Sequence, residues 1–210
     1  MKKIAVIAAN GRAAKKIVEE ALNRGFDVTA FGRGDNNTAA EKYVKKDVFD
    51  LTADELKGFD VVVNAVGTWA LEQLHVIPQA SAYLADLLRG SETRLVVVGG
   101  AGSLYVNKEH TSTVELQPNF PAAYKPVSAA HRSALQILRA EENVKWTYIS
   151  PACDFQADGE RTGKYILGGE ELVLNGRGES VISYADYAIA LVDEIEKGNH
   201  VGERMSVVSE

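Results

Sequence analysis

The sequence predicts an α/β fold with a mainly parallel, doubly wound sheet, because strand-like apolar runs alternate with helical patterns throughout. The first run, residues 4–7, leads through a tight turn into a helix with one apolar face, and residues 28–31 form the next run. The β-branched runs at 60–64 and 95–98 have the continuous apolar character of strands buried on both faces. No repeat or linker divides the chain, so we expect a single domain over residues 1–210.

The remaining elements follow from periodicity and from turn residues. Thr52 and Glu55 have the spacing of a capping box for a short helix, and Ser183 and Asp186 have it for a longer one. A polar segment at 105–124 predicts a long loop, and long loops in compact domains are often functional. The pattern predicts further strands at 43–44, 146–150 and 204–208, and helices at 69–90, 127–140 and 183–197.

Residues 152–180 differ from the rest of the chain. Short β-like pieces at 164–167 and 172–174 alternate with several glycines. This pattern predicts a small C-terminal substrate lobe, inserted in the domain and lying outside the main sheet.

Composition limits the partners and metals that we expect. The formal charge of −6 disfavours nucleic acid and anionic membranes, which both require a basic face. A single cysteine, Cys153, excludes an internal disulfide framework, and the four histidines show no metal-ligand spacing. No signal-peptide pattern and no apolar window of membrane-spanning length are present, so we expect a cytoplasmic protein that binds no metal. Nothing in the sequence marks an oligomer interface.

Several segments together carry a family resemblance. They are KIAVI at 3–7, DVVVNAVG at 60–67, LVVVGGAGSLY at 95–105, WTYISP at 146–151, GERTG at 159–163 and SYADYA at 183–188. Over essentially its whole length the chain resembles an atypical short-chain dehydrogenase/reductase of the NmrA-like, NAD(P)H-binding group. Within that group it is most similar to the bacterial NADH-flavin reductase proteins, with biliverdin reductase B in the same neighbourhood. The resemblance implies a Rossmann-type fold with NADP or NAD lying across the carboxyl ends of the strands.

The first turn departs from the family pattern Gly-x-x-Gly-x-x-Gly. Ala8, Gly11 and Ala14 occupy the three glycine positions, so only the glycine that lets the backbone approach the pyrophosphate is kept. If Ala8 has a positive φ, it costs about 1–2 kcal/mol, and Asn10 is a residue that could take up part of that geometry. We expect cofactor binding to survive in weakened form. The alternative is a Rossmann-shaped domain that no longer binds nucleotide.

The resemblance also places the rest of the cofactor. Arg33 ends the second strand, where an arginine favours the 2′-phosphate of NADP over the free hydroxyl of NAD, although Asp35 is close by. Further cofactor positions are Arg12 and Ala13 in the turn, Asp47 and Val48 beside the adenine, Ala65, Val66 and Gly67 at the middle, and Ser103 and Pro151 on the nicotinamide side. For Arg12 and Arg33 the alternative is a solvated surface position.

The proton donor is the open question in the chemistry. None of the eight tyrosines has a lysine four residues on, so the Tyr-x-x-x-Lys pair of the superfamily's well-known reductases is absent. A flavin (FMN or FAD), a quinone or a similar small acceptor needs mainly a well-placed hydride donor. Ser103, His75 and Tyr124 are the candidate catalytic residues, with Tyr105 and His131 as further helpers, and each also has an ordinary structural explanation. Cys153 is expected to be a small buried apolar residue rather than a nucleophile.

Three functions therefore stay open. The first is an NAD(P)H-dependent oxidoreductase that passes hydride to a flavin, quinone or similar small acceptor. The second is an NAD(P)-binding, redox-sensing regulator that uses the 152–180 lobe against a protein partner with little turnover. The third is a Rossmann scaffold that binds no cofactor.

Overall fold

A computed structural model of the chain describes all 210 residues. Its strands are β1 (Lys3–Ile7), β2 (Asp27–Gly32), β3 (Lys42–Lys45), β4 (Val61–Asn64), β5 (Arg94–Val98), β6 (Lys145–Ser150), β7 (Asp154–Gln156), β8 (Tyr165–Gly168), β9 (Val181–Ser183) and β10 (Glu203–Ser209). Its α-helices are α1 (Arg12–Asn23), α2 (Ala53–Leu56), α3 (Val76–Leu88), α4 (Lys125–Arg139) and α5 (Tyr184–Lys197). None of the helices combines the length and apolarity that crossing a bilayer requires.

Eight strands form the central sheet, in the order β3-β2-β1-β4-β5-β6-β10-β8. All neighbouring pairs are parallel except β10 and β8. The strand order reverses direction between β1 and β4, where Ile7 is in register with Asn64 on one side and with Phe31 on the other. The predicted doubly wound, mainly parallel sheet is confirmed, and this reversal is the point where such sheets bind ligands.

Alternating side chains of the strands divide the core into two layers. Ile4 and Val6 of β1 face α1 and α5, whereas Ala5 and Ile7 face α3 and α4. Because helices cover both faces, β4 is buried at every position, as its β-branched run predicts.

The C-terminal part corrects one prediction. Residues 152–180 do not lie wholly outside the main sheet, because β8 pairs antiparallel with β10 and forms its edge. The free edge of β10 offers backbone groups that the apolar run 164–167 can pair with. Residues 172–174 form no strand, whereas β7 and β9 make a separate two-stranded parallel sheet. The treatment of 152–180 as an inserted unit stays a prediction.

The two predicted capping boxes have different outcomes. Thr52 and Glu55 make both reciprocal hydrogen bonds, so the first box is confirmed. Ser183 Oγ accepts the N–H of Asp186 at 3.0 Å, but the Asp186 carboxylate does not return to residue 183. It accepts the N–H groups of Thr162 and Gly163 instead, so the full second box is wrong. The carboxylate thereby holds the GERTG segment at the start of α5.

Candidate functional site

The turn after β1 has the backbone conformation of a glycine-containing turn, although alanine occupies its first glycine position. Ala8 has a φ of +58°, in the left-handed region, and its carbonyl oxygen accepts the N–H of Gly11 at 3.0 Å. Asn10 has no positive φ, so the expectation that it relieves Ala8 is wrong. Gly11 has an ordinary φ of −66°. A Cβ at Gly11 would lie 3.3 Å from the Ala8 oxygen, so space rather than conformation favours glycine there.

The N-terminus of α1 is open to an anion. Gly11 is the N-cap and makes no side-chain capping bond, and the first turn contains no acidic residue. The first N–H groups of a helix have no acceptor within the helix, and together with the helix dipole they favour negative charge. Ala14 is buried in the core, so its methyl fills the place where helix and strand meet. The turn therefore fits a pyrophosphate although two glycines are missing.

Asn10 positions the loop that carries Arg33. Its side-chain amide donates to the Asp35 carbonyl oxygen and to the Tyr43 hydroxyl, both at 3.0 Å. The Tyr43 hydroxyl in turn donates to the carbonyl oxygen of Gly34 at 2.7 Å. The role of Tyr43 could not be predicted from the sequence, because its hydrogen-bond partners lie on other elements.

A first cavity of about 570 Å³ opens at the carboxyl ends of β1, β2 and β4. It brings together ten predicted residues: Ala8, Asn10, Gly11, Arg33, Asp47, Val48, Ala65, Val66, Gly67 and His75. Arg12 and Ala13 are absent from its lining, whereas Lys46, Phe49, Thr68 and Gln73 were not anticipated. Its volume is in the range of sites for small organic ligands.

Among the charged side chains that line the first cavity, one guanidinium has no close carboxylate partner. Arg33 is 77% exposed, and its nearest acidic partner is Asp47, with Nε and Oδ2 3.9 Å apart. Lys46 is already paired with Glu55 at 2.6 Å. The Asp47 carboxylate accepts the N–H of Phe49 and so caps a short 3₁₀ helix at the cavity wall. Arg33 is therefore the cation of this cavity that is free to meet a phosphate.

A second cavity of about 710 Å³ adjoins the first beyond β5 and β6. Thr68 lines the first cavity and the next residue, Trp69, lines the second, so one loop separates them. Pro151 and Tyr124 line the second cavity, as does the glycine-rich segment 99–102. The Arg12 guanidinium lies over the Tyr184 ring, 5.9 Å from its centroid, rather than in the first cavity.

The three candidate catalytic residues are not brought together. Tyr124 lines the second cavity and is 49% exposed. His75 lines the first cavity, away from the expected acceptor side, and precedes α3. Ser103 lines neither cavity, because it is buried and its Oγ accepts a hydrogen bond from the Arg204 guanidinium at 3.0 Å. Cys153 is exposed at the second cavity instead of buried, which corrects that expectation.

His131 lies on the wall of the second cavity. Its Nδ1 is buried and has no hydrogen-bond partner. Burial lowers the pKa of the imidazole to about 4, so the ring is neutral at physiological pH. A neutral imidazole adds no charge to the cavity, and its buried Nδ1 is not accessible to a ligand.

Comparison with known proteins agrees with this geometry. A family described as NAD(P)H-binding matches residues 8–196, which is most of the chain. The chain belongs to the NAD(P)H-binding family. The match begins at Ala8 and includes every predicted cofactor position.

Individual proteins are similar to this chain over their full length. The protein YwnB of Bacillus subtilis, called uncharacterized, is 43% identical over 99% of both chains. A crystal structure of a "putative NADH-flavin reductase" from Streptococcus pneumoniae is 49% identical, with complete coverage of both chains and a TM-score of 0.98. A crystal structure of a "putative exported protein" from Burkholderia pseudomallei is 36% identical over 99% of this chain and 100% of that one, with a TM-score of 0.87. The family resemblance stated from the sequence motifs is confirmed.

Proposed function

We propose that the protein is a cytoplasmic, NAD(P)H-dependent oxidoreductase that passes hydride to a flavin, a quinone or a similar small acceptor. The observation that carries this proposal is the pair of adjoining cavities at the carboxyl edge of the sheet. One cavity lies beside the open N-terminus of α1, and the other has room for a second ligand. The name of the Streptococcus pneumoniae relative points to the same reaction class.

The first cavity supplies the cofactor-binding residues. Gly11 and the first N–H groups of α1, which belong to Arg12 and Ala13, would hold the pyrophosphate. Asp47 and Val48 would border the adenine. The middle of the dinucleotide would lie against 65–67, and the nicotinamide against Pro151. When bound, the reduced nicotinamide supplies a hydride, which carries two electrons and one proton to the acceptor.

The second cavity offers neutral groups rather than a strong acid. Tyr124 is half exposed, and the His131 imidazole is neutral. No Tyr-x-x-x-Lys pair is present, so the second proton would come from water. Acceptors that take up hydride without strong acid assistance, such as flavins and quinones, fit this arrangement.

We also propose that NADP is preferred over NAD. Arg33 is mostly free of carboxylate partners, and its forked donors suit the 2′-phosphate. Asp35 is engaged by Lys45 at 2.8 Å, so it competes little for Arg33.

Titration of the wild-type protein with NADPH, followed by calorimetry, tests the proposal. A matched pair of variants sharpens the test. Gly11→Asp adds a favoured N-cap residue but puts negative charge where the pyrophosphate would bind, whereas Gly11→Asn adds nearly the same shape without charge. We expect Gly11→Asp to bind NADPH at least about tenfold more weakly than Gly11→Asn, which corresponds to about 1.4 kcal/mol.

Steady-state oxidation of NADPH with FMN and with a naphthoquinone completes the test. Undetectable NADPH binding at millimolar concentration would leave the cofactor-free scaffold as the better description. Tight binding without turnover on either acceptor would favour the redox-sensing regulator.

A further inference from the structure

We propose that Trp69 and Tyr124 form an acceptor-selecting pair, through which the second cavity takes an uncharged planar ring such as a naphthoquinone and disfavours anionic acceptors. This inference rests on the proposed function and adds the chemical class of the acceptor. The two side chains come from distant segments, the loop after β4 and the end of the long loop before α4, and they meet at this cavity.

The pair is unusual in its exposure. Trp69 is 67% exposed and Tyr124 is 49% exposed, although large aromatic residues are normally mostly buried. Their ring centroids lie 5.5 Å apart with the planes tilted by 58°. The two rings thus pack on each other and leave apolar area facing the cavity. A planar ligand that covers this area removes it from water and gains aromatic contacts.

The lining of the second cavity is poor in charge. The lining residues include no lysine or arginine, and their one carboxylate is Asp154; the Arg12 guanidinium lies 5.9 Å from the centroid of the lining Tyr184 ring but is not itself a lining residue. His131 adds no positive charge because its imidazole is neutral. An anionic group that entered the cavity would lose water, find no cation among the lining residues and meet the Asp154 carboxylate. An uncharged ring avoids all three costs.

A carbonyl-bearing ring also suits the polar groups that are present. Tyr124 lines the cavity, whereas the unpartnered Nδ1 of His131 is buried and out of reach of a ligand. The Tyr124 hydroxyl can donate to a quinone oxygen without changing its charge. Reduction of the quinone then takes up one hydride and one proton from water, gives the hydroquinone and leaves the dinucleotide oxidised.

Calorimetric binding of two matched probes tests the inference without turnover. The probes are 2-methyl-1,4-naphthoquinone and 1,4-naphthoquinone-2-sulfonate, which share the bicyclic quinone and differ in charge. Both are titrated into the full chain carrying Cys153→Ser, because the exposed thiol at this cavity could add to a quinone. We expect the uncharged probe to bind at least about tenfold more tightly.

Variants assign the selectivity to residues. Trp69→Ala and Tyr124→Ala should each weaken binding of the uncharged probe by about tenfold, in line with the loss of one aromatic contact, whereas Trp69→Phe should keep most of the affinity. Asp154→Asn should reduce the difference in affinity between the uncharged and the anionic probe. Leu174→Ala removes an exposed apolar side chain outside the cavity and should change neither affinity.

Equal binding of the two probes, or unchanged binding of the uncharged probe in Trp69→Ala and Tyr124→Ala, would overturn the inference. NADPH titration of the same variants separates this result from a failure of the proposed function. If NADPH binds and FMN is reduced while the uncharged quinone does not bind, the inference fails and the proposed function stands. If NADPH does not bind at all, the proposed function fails.

Discussion

The ring of Tyr148 occupies the space that a Cβ at Gly99 would need. Its hydroxyl accepts the N–H of Gly100 at 3.0 Å and donates to the carbonyl oxygen of His131 at 3.1 Å. Burial raises the pKa of the Tyr148 hydroxyl, so it stays neutral and can act as donor and acceptor together. One buried tyrosine therefore fixes the end of β5 against α4, where both form the wall of the second cavity.

Gly99→Ala should destabilise the protein by about 1–3 kcal/mol, because the added methyl forces the Tyr148 ring to move in a close-packed core. Tyr148→Phe should cost a similar amount, about 1–3 kcal/mol, because it leaves the partly buried N–H of Gly100 without an acceptor. Urea unfolding at constant protein concentration measures both. Gly169→Ala is the control, since a Cβ there meets no atom within 4 Å and should change the unfolding free energy by less than about 0.5 kcal/mol. Equal effects of Gly99→Ala and Gly169→Ala would contradict the packing explanation.

Ala8→Gly and Ala14→Gly should have opposite effects on stability. At Ala8, glycine removes the strain of a left-handed alanine, which amounts to about 1–2 kcal/mol. It also increases the conformational freedom of the unfolded chain, which costs about 0.4–1 kcal/mol. We therefore expect the free energy of unfolding to rise by about 0.5–1 kcal/mol. At Ala14, glycine loses helix propensity of about 1 kcal/mol and a buried methyl. Thermal unfolding should show the first variant above the wild type and the second below it.

The turn already has the positive φ at Ala8 in the free protein, so the strain lowers stability rather than affinity, and Ala8→Gly should leave NADPH affinity within about twofold, in contrast to the weakened binding that the sequence predicts. Destabilisation by Ala8→Gly would show that the turn depends on the alanine methyl and that relief of φ strain is not the governing effect.

The sequence predicted features that depend on local pattern. Alternating apolar runs located the sheet, and the spacing of Ala8, Gly11 and Ala14 located the first cavity. Prediction from the sequence failed where a residue's environment depends on elements that are distant along the chain. Ser103 is held by Arg204, about a hundred residues away on β10, and no local signal marks that contact. Likewise, residues 164–167 lie in the edge of the sheet because β8 pairs with the exposed edge of β10, which is distant along the chain. The neutrality of His131 depends on burial that the sequence does not show.

Arg33→Ala should weaken NADPH binding by about tenfold, in line with the loss of a charge-assisted contact of about 1.5 kcal/mol at an exposed site, and should leave NADH binding unchanged. The ratio of the two dissociation constants is the measurement, because it cancels effects on folding. Arg177→Ala removes another exposed arginine, outside the first cavity, and should leave the ratio unchanged. A parallel loss for both dinucleotides would mean that Arg33 does not read the 2′-phosphate.

His131 should make the protein less stable as the pH falls. Its pKa is lowered from 6.5 to about 4 in the folded protein, so between these values the unfolded chain binds a proton that the folded chain does not. The free energy of unfolding should therefore fall by about 3 kcal/mol from this residue as the pH drops from 6.5 to 4. His131→Leu should remove that part of the pH dependence, as measured by urea unfolding at several pH values, while carboxylates contribute equally to both proteins.

Direct titration of the His131 imidazole by NMR gives an independent check. A neutral ring down to about pH 5 agrees with burial in the wall of the second cavity, whereas a midpoint near 6.5 would mean that water reaches the ring freely. In that case the second cavity could become positively charged near neutral pH, and its selection against anionic acceptors would weaken in the same range.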